Sequence, residues 1–268
     1  MTLSTDATEV PAEVLDLARD ARRVCVLTGA GMSAESGIPT FRDVQVGLWE
    51  HFDPMELATP QAWAKDPGQV WAWYSWRASL VRGALPNPGH SALAAWQARD
   101  GVELTVVTQN VDDLHERAGA EVLAHVHGSL FALRCARCGE ASDAAYPQVT
   151  EPVAHLDPPA CAVCGGLVRP GVVWFGEGLP EEEFYAGVDA AQAADLLVVV
   201  GTSGLVHPAA TLPHLAGARG VPVLEVNPRE SAVSEAADEV WRAPAAQALP
   251  ALVAALGEDV AADGPART

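Results

Sequence analysis

Basic side chains are scarce in this chain. Lys and Arg number 16 against 35 Asp and Glu, for a formal net charge of −19 over 268 residues. A surface of that sign repels a phosphate backbone, so no nucleic-acid partner is expected. It attracts cationic partners, lysine-bearing peptides among them, although the same acidity also serves plain solubility. Long apolar runs are missing too. The longest, such as Leu196–Val200, are far too short to span a bilayer, and no membrane association is expected. Met1–Glu9 has neither a basic stretch nor an apolar segment, which excludes a secretory signal there and leaves a cytoplasmic chain as the expectation. Cysteine is limited to Cys25, Cys135, Cys138, Cys161 and Cys164. Four of these form two C-x-x-C pairs, which in a reducing compartment read as a metal site before disulfides.

What is present is an α/β rhythm. Val24–Thr28, Leu104–Thr108, Leu196–Val200 and Val223–Val226 are short apolar runs that read as buried parallel strands. Residues 11–22 carry Val14, Leu15, Ala18 and Ala21 at helical spacing. The alternation implies a Rossmann-like, doubly wound parallel sheet. Cys25 falls within the first strand and reads as a core thiol. Residues 50–90, rich in Trp, read as a helical insertion. Residues 130–177, with all four paired cysteines, read as a zinc module, and together the two form a small domain. The large domain is then discontinuous, from 1–49, 91–129 and 178–268.

Four motifs carry chemistry. Gly29-Ala30-Gly31-Met32-Ser33-Ala34 follows the first strand and fits G-x-G-x-x-G/A, whose glycines let backbone approach a pyrophosphate. No Asp or Glu ends a second strand some 20 residues later, unlike a dehydrogenase. The run continues to Phe41-Arg42, where a cation could pair with phosphate. Thr108-Gln109-Asn110-Val111-Asp112 leaves the carboxyl edge of the sheet and offers amides and a carboxylate to ribose and carboxamide groups; it equally fits a helix start capped by Asn110. His127-Gly128 after a short strand is a general-base candidate, though a lone histidine is commonly structural. Cys135-x-x-Cys138 and Cys161-x-x-Cys164 fill a tetrahedral zinc site, leaving no open position for catalysis.

These residues together resemble the sirtuin family, over roughly residues 20–256. The resemblance implies NAD as cosubstrate, one structural zinc and acyl-lysine proteins or peptides as substrates, in a chain expected to be a monomer. It implies NAD contacts from Gly29, Ala30, Gly31, Ser33, Ser36, Ile38, Phe41, Arg42 and Trp49. Further contacts fall on Gln109, Asn110, Val111 and Asp112, then on Gly201-Thr202-Ser203, on Asn227-Pro228-Arg229 and on the backbone of Ala245. It makes His127 the base for a ribose hydroxyl and gives Asn110 the positioning of ribose and water. Phe175-Gly176-Glu177 and Leu205-Val206-His207 would flank an extended peptide as an added strand.

Tyr74 and Arg77, in Trp71-Ala72-Trp73-Tyr74-Ser75-Trp76-Arg77, share one face if that stretch is helical. They fit an ordinary amphipathic helix at the edge of an aromatic core. They also resemble the Tyr-x-x-Arg pair of class III sirtuins, which implies removal of succinyl and malonyl groups beside acetyl. A guanidinium and a phenol hydroxyl suit a terminal carboxylate. A zinc-bearing dehydrogenase and a non-enzymatic zinc-ribbon module are the rival readings. The first lacks its ribose-binding acid, and the second leaves His127 and Asn110 without a task.

Overall fold

The structure is a computed structural model that describes residues 9–39 and 53–262. Its frame is set by strands buried on both faces. In β1 (Arg23–Thr28), Val24 and Val26 enter one core while Cys25 and Leu27 enter another. In β6 (Leu196–Val200), Leu196, Val198 and Val200 share the first core, Leu197 and Val199 the second. A strand alternates its side chains between faces, so a run without polar residues needs cover on both sides. Each fully buried Val or Leu contributes roughly 1.5–3 kcal/mol, so one charge in these runs would undo the sheet.

The sheet is parallel throughout, in the order β3-β2-β1-β6-β7-β8. Its other strands are β2 (Glu103–Thr108), β3 (Val122–His125), β7 (Val223–Val226) and β8 (Glu239–Trp241). Helices α1 (Ala12–Asp20), α6 (Pro88–Gln97) and α10 (Ala245–Ala262) cover one face; α8 (Glu181–Ala193) and α9 (Leu212–Gly217) cover the other. This is the doubly wound sheet expected from the alternation. Register aligns the carboxyl ends of its central strands: Thr28 lies opposite Thr108 on one side and Val200 on the other. The loops after β1, β2 and β6 therefore leave one edge together.

A separate core lies outside this sheet. It joins α3 (Pro54–Leu57), α4 (Pro60–Lys65) and α5 (Pro67–Gly83) to the antiparallel pair β4 (Gly128–Cys135) and β5 (Val168–Val172). Asp66 starts α5: its carboxylate accepts from the Gln69 N–H, and Pro67 occupies the first turn, where its missing N–H costs nothing. Trp71, Trp73, Tyr74, Ser75 and Arg77 are all buried, so α5 is enclosed nearly all round rather than amphipathic. Trp71 stacks on Tyr146, brought in by the cysteine-bearing segment, with centroids 4.7 Å apart. Indole and phenol thus tie α5 to that segment through apolar area.

Trp71→Ala should lower stability by about 3–5 kcal/mol, read from the urea midpoint followed by circular dichroism. A loss under about 1 kcal/mol would mean that this core does not hold the lobe together.

Candidate active site and metal centre

Glycine lets the sheet edge close. Gly31 N–H donates to the Gly201 carbonyl at 2.8 Å, and Gly29 N–H to that of Val200 at 2.9 Å. A Cβ on Gly31 would stand 2.7 Å from the Gly201 oxygen, and one on Gly29 2.8 Å from Thr202. Gly201 itself has φ +62°, a left-handed conformation that glycine adopts without penalty. The loops after β1 and β6 are thus pressed together at backbone distance. Ala30 is exposed, Ser33 and Ile38 are buried, and Ser36 Oγ accepts from the Asn87 amide at 3.1 Å. Phe41, Arg42 and Trp49 lie outside the described residues.

Beside this cradle sits a polar cluster. Ser33 Oγ donates to Asp112 Oδ2 at 2.9 Å and accepts from Asn110 Nδ2 at 3.1 Å. Burial pushes the Asp112 carboxyl up, while the Ser33 hydroxyl and the Leu114 N–H pull it back down. Asn110 does not cap a helix. The next helix, α7 (Leu114–Arg117), begins after Asp113, and Asp112 accepts from its Leu114 N–H at 3.2 Å. The Asn110 side chain is thereby left for the cluster. Gln109 Nε2 donates to Thr202 Oγ1 at 3.0 Å, joining the loops after β2 and β6, and the Val111 carbonyl holds Leu130 at 2.8 Å.

His127 follows β3 on the same edge. Its Nδ1 bonds the Gln109 carbonyl at 3.0 Å; a carbonyl only accepts, so Nδ1 carries the proton and Nε2 keeps its lone pair. Nε2 is buried and has no hydrogen-bond partner among the described residues. Burial lowers the imidazole pKa, with the Gln109 carbonyl opposing. A neutral imidazole with one fixed proton and one free lone pair is poised to accept a proton.

The residues expected on the adenosine side lie in the loops after β6 and β7. Asn227 Nδ2 donates to the Thr202 carbonyl at 2.8 Å, and the Ser203 carbonyl accepts from the Ala232 N–H. Pro228 and Arg229 are exposed, with the Arg229 N–H on Asn227 Oδ1. The fully buried Glu225 fastens this loop by accepting from Ser231, from Ser234 at 2.6 Å and from Arg242 at 3.1 Å. Ala245 is buried at the start of α10, against Gly89.

On the small lobe, Phe175 N–H bonds the Ala58 carbonyl and Glu177 N–H that of Trp174, with exposed Gly176 between at φ +91°. The Glu177 carboxylate grips Arg169 at 2.5 and 2.9 Å, a structural task beside its expected place at the peptide. Val206 is half-buried, its carbonyl taken by Ala210, while Leu205 and His207 are exposed. Tyr74 is fully enclosed, and burial raises its phenol above the ordinary value. Arg77 is buried nearby: desolvation lowers its pKa, while Tyr74 and Asp112 act to raise it.

Two features were illegible in the chain. Asn87 caps α6 and also donates to the Met32 carbonyl at 2.8 Å; Asn-Pro signals only the cap. Behind the cluster, Thr28 donates to Thr108 at 2.8 Å, Thr108 accepts from the Asn110 N–H, and His115 Nε2 bonds Thr28 at 3.0 Å. Nothing in their spacing links these residues.

At the far end of the small lobe, the sulfurs of Cys135, Cys138, Cys161 and Cys164 all lie within 4.8 Å of one another. Cys135–Cys164 and Cys138–Cys161 separations are 3.5 and 3.9 Å. Zinc–sulfur bonds of about 2.3 Å put tetrahedral sulfurs about 3.8 Å apart, so the four fit that ion. N–H groups of Arg137 and Gly166 point at Cys135 and Cys164 sulfur, as suits thiolate ligands.

The sequence profile described as the Sir2 family matches residues 29–208. The chain belongs to the Sir2 family. Its Sir2 relatives include the NAD-dependent protein deacylase of Corynebacterium glutamicum, 53% identical over 245 residues, 90% of this chain and 94% of that protein. The protein of the same name from Mycobacterium tuberculosis is 56% identical over 231 residues, 86% of this chain and 96% of that one. A solved Sir2 homologue–NAD complex is 41% identical with a TM-score of 0.86, covering 94% of this chain and 96% of that one. No helix among the described residues is long and apolar enough to cross a membrane.

Two outcomes follow for these centres. His127→Ala should reduce turnover by about 10²–10⁴-fold with NAD binding largely kept. In the parent, activity should fall with acid through a midpoint below the ordinary histidine value, because the base must be neutral and burial depresses its pKa. A midpoint above that value, or a variant within a few-fold of the parent, would remove His127 from the reaction. Metal analysis should return one zinc per chain, and Cys135→Ser should lose it and aggregate, since a structural zinc supplies roughly 10–16 kcal/mol of binding free energy to folding. A soluble, fully active Cys135→Ser protein would contradict the assignment.

Proposed function

We propose that the chain is an NAD-dependent protein-lysine deacylase that removes acetyl groups and also succinyl and malonyl groups. The carrying observation is the buried, unpartnered Nε2 of a neutral His127 on the same edge as the glycine cradle and the Ser33–Asn110–Asp112 cluster. Bound NAD supplies the chemistry, a nicotinamide–ribose bond whose cleavage activates the acyl amide; the products are nicotinamide, free lysine and O-acyl-ADP-ribose. The chain supplies placement and proton transfer. Gly29, Gly31 and Gly201 admit the pyrophosphate against backbone. Asp112, held by Ser33 and the Leu114 N–H, accepts from the carboxamide, and Asn110 orients ribose and water. Nε2 of His127 takes the ribose hydroxyl proton while the Gln109 carbonyl steadies the ring.

Gly176 and Val206 flank the acyl-lysine peptide through backbone, so flanking sequence is read weakly. The same reading divides the chain into a NAD-binding domain of 1–49, 91–129 and 178–268 and a small domain of 50–90 and 130–177. The separate core of α3–α5, β4 and β5 supports the small domain. It makes the protein a cytoplasmic monomer without nucleic-acid or membrane partners, in keeping with a −19 charge.

Burial of both Tyr74 and Arg77 supports the acidic-acyl reading. A guanidinium enclosed with a phenol favours a ligand that brings a carboxylate over one that ends in methyl. A panel of acetyl-, malonyl-, succinyl- and butyryl-lysine peptides with NAD, read by mass spectrometry, tests the activity. Tyr74→Phe with Arg77→Met should cut desuccinylation by about 100-fold or more while deacetylation falls far less. Equal losses on both substrates, or a parent enzyme inert toward succinyl-lysine, would refute the acyl preference and leave deacetylation standing.

A further inference from the structure

Tyr74 makes one hydrogen bond among the described residues, and its direction is set by chemistry. Trp174 Nε1 lies 3.1 Å from Tyr74 Oη. An indole N–H can only donate, so the phenol oxygen accepts. One in-plane lone-pair direction of the hydroxyl is thereby taken, and the Tyr74 proton must go elsewhere. Burial keeps that proton on the oxygen.

The indole is itself immobilised. The Arg169 guanidinium sits 3.3 Å from the centroid of the Trp174 ring, and Arg169 is gripped by both Glu177 oxygens. Glu177 Oε2 also accepts from the Trp174 backbone N–H at 2.9 Å, and Trp63 lies against the ring at 5.5 Å. A cation over the face draws electron density from the indole and strengthens its N–H as a donor.

We propose that Trp174 is a specificity-determining positioning residue: its N–H holds the Tyr74 hydroxyl as a donor, so the acyl pocket selects tails ending in a hydrogen-bond acceptor. This rests on the deacylase reading and on the place of Tyr74 in the pocket. Without the indole N–H, the hydroxyl can turn to accept as readily as donate, and discrimination between carboxylate and methyl tails weakens.

The test is Trp174→Phe, which keeps an aromatic ring under Arg169 and deletes the N–H. Succinyl- and acetyl-peptide kcat/KM are measured in the parent, Trp174→Phe, Tyr74→Phe and the double variant. The succinyl-to-acetyl ratio should fall about tenfold in Trp174→Phe, and the same substitution should leave the ratio unchanged in the Tyr74→Phe background. An unchanged ratio in Trp174→Phe beside a lowered one in Tyr74→Phe overturns the inference and spares the acyl preference. An equal fall in both backgrounds overturns it too, because Trp174 would then act through shape. A parent that ignores succinyl-lysine overturns both.

A second measurement does not depend on Trp174→Phe folding. In Arg77→Met enzyme, levulinoyl-lysine, whose ketone accepts without charge, should be cleaved several-fold faster than the isosteric 4-methylpentanoyl-lysine. Equal rates would show that Tyr74 is not held as a donor.

Discussion

The structure depends on one contact too close for any side chain. Gly31 and Gly201 meet backbone to backbone at the carboxyl ends of β1 and β6, with Gly29 against Thr202. Their approach is possible because β1 and β6 are register-matched neighbours, so that Thr28 and Val200 end side by side. Once those ends are level, Gln109 reaches Thr202 from β2, and Asn227 reaches the same residue from β7. Four strands then deliver their loops to one place. The strands stay in line because each buries one set of residues in each of two cores, and a one-residue slip would swap the sets.

Behind that edge the protein keeps its buried histidines uncharged. Thr28, Thr108 and His115 form a buried chain that ends on the Asn110 N–H. His90, edge-on to His115 at 4.9 Å, and His115 itself are driven by burial to about 3 and about 4, so neither carries charge near neutrality. Uncharged, directional bonds hold Asn110 without setting a second cation near Arg77. The buried Arg77 lies within electrostatic reach of this cluster, since the Asp112 carboxylate acts to raise its pKa.

The small lobe solves a different problem. Its core is aromatic, and its cysteine segment has few strands of its own. Thiolates at one metal would close that segment, and Trp71 on Tyr146 would anchor it to α5. The Arg169–Glu177 pair then links β5 to the segment 173–177 that follows it, with Trp174 between. Glu177 therefore does structural work at a position where the proposed reading places the peptide.

Much of this was legible in the chain. Val24–Thr28 and Leu196–Val200 announce buried parallel strands because apolar side chains fill them, and the two C-x-x-C pairs announce a metal because together they offer the four ligands of a tetrahedral site. The glycine motif and the fragments around Asn110 and His127 are local patterns, readable in order. The short β8 carries too few residues for periodicity to register, and β4 buries its side chains without strict alternation and pairs with β5 through a register shift. The enclosed character of α5 also escaped, since Tyr74 and Arg77 look like edge residues until a second aromatic core closes over them. Sequence alone determined the sheet, the metal ligands and the chemical types at the site, because these follow from hydrophobic period and ligand chemistry. Tertiary structure alone decided which way hydrogen bonds run, from Gln109 to Thr202, Asn87 to Met32 and Trp174 to Tyr74, since donors and acceptors find partners by distance in space rather than along the chain.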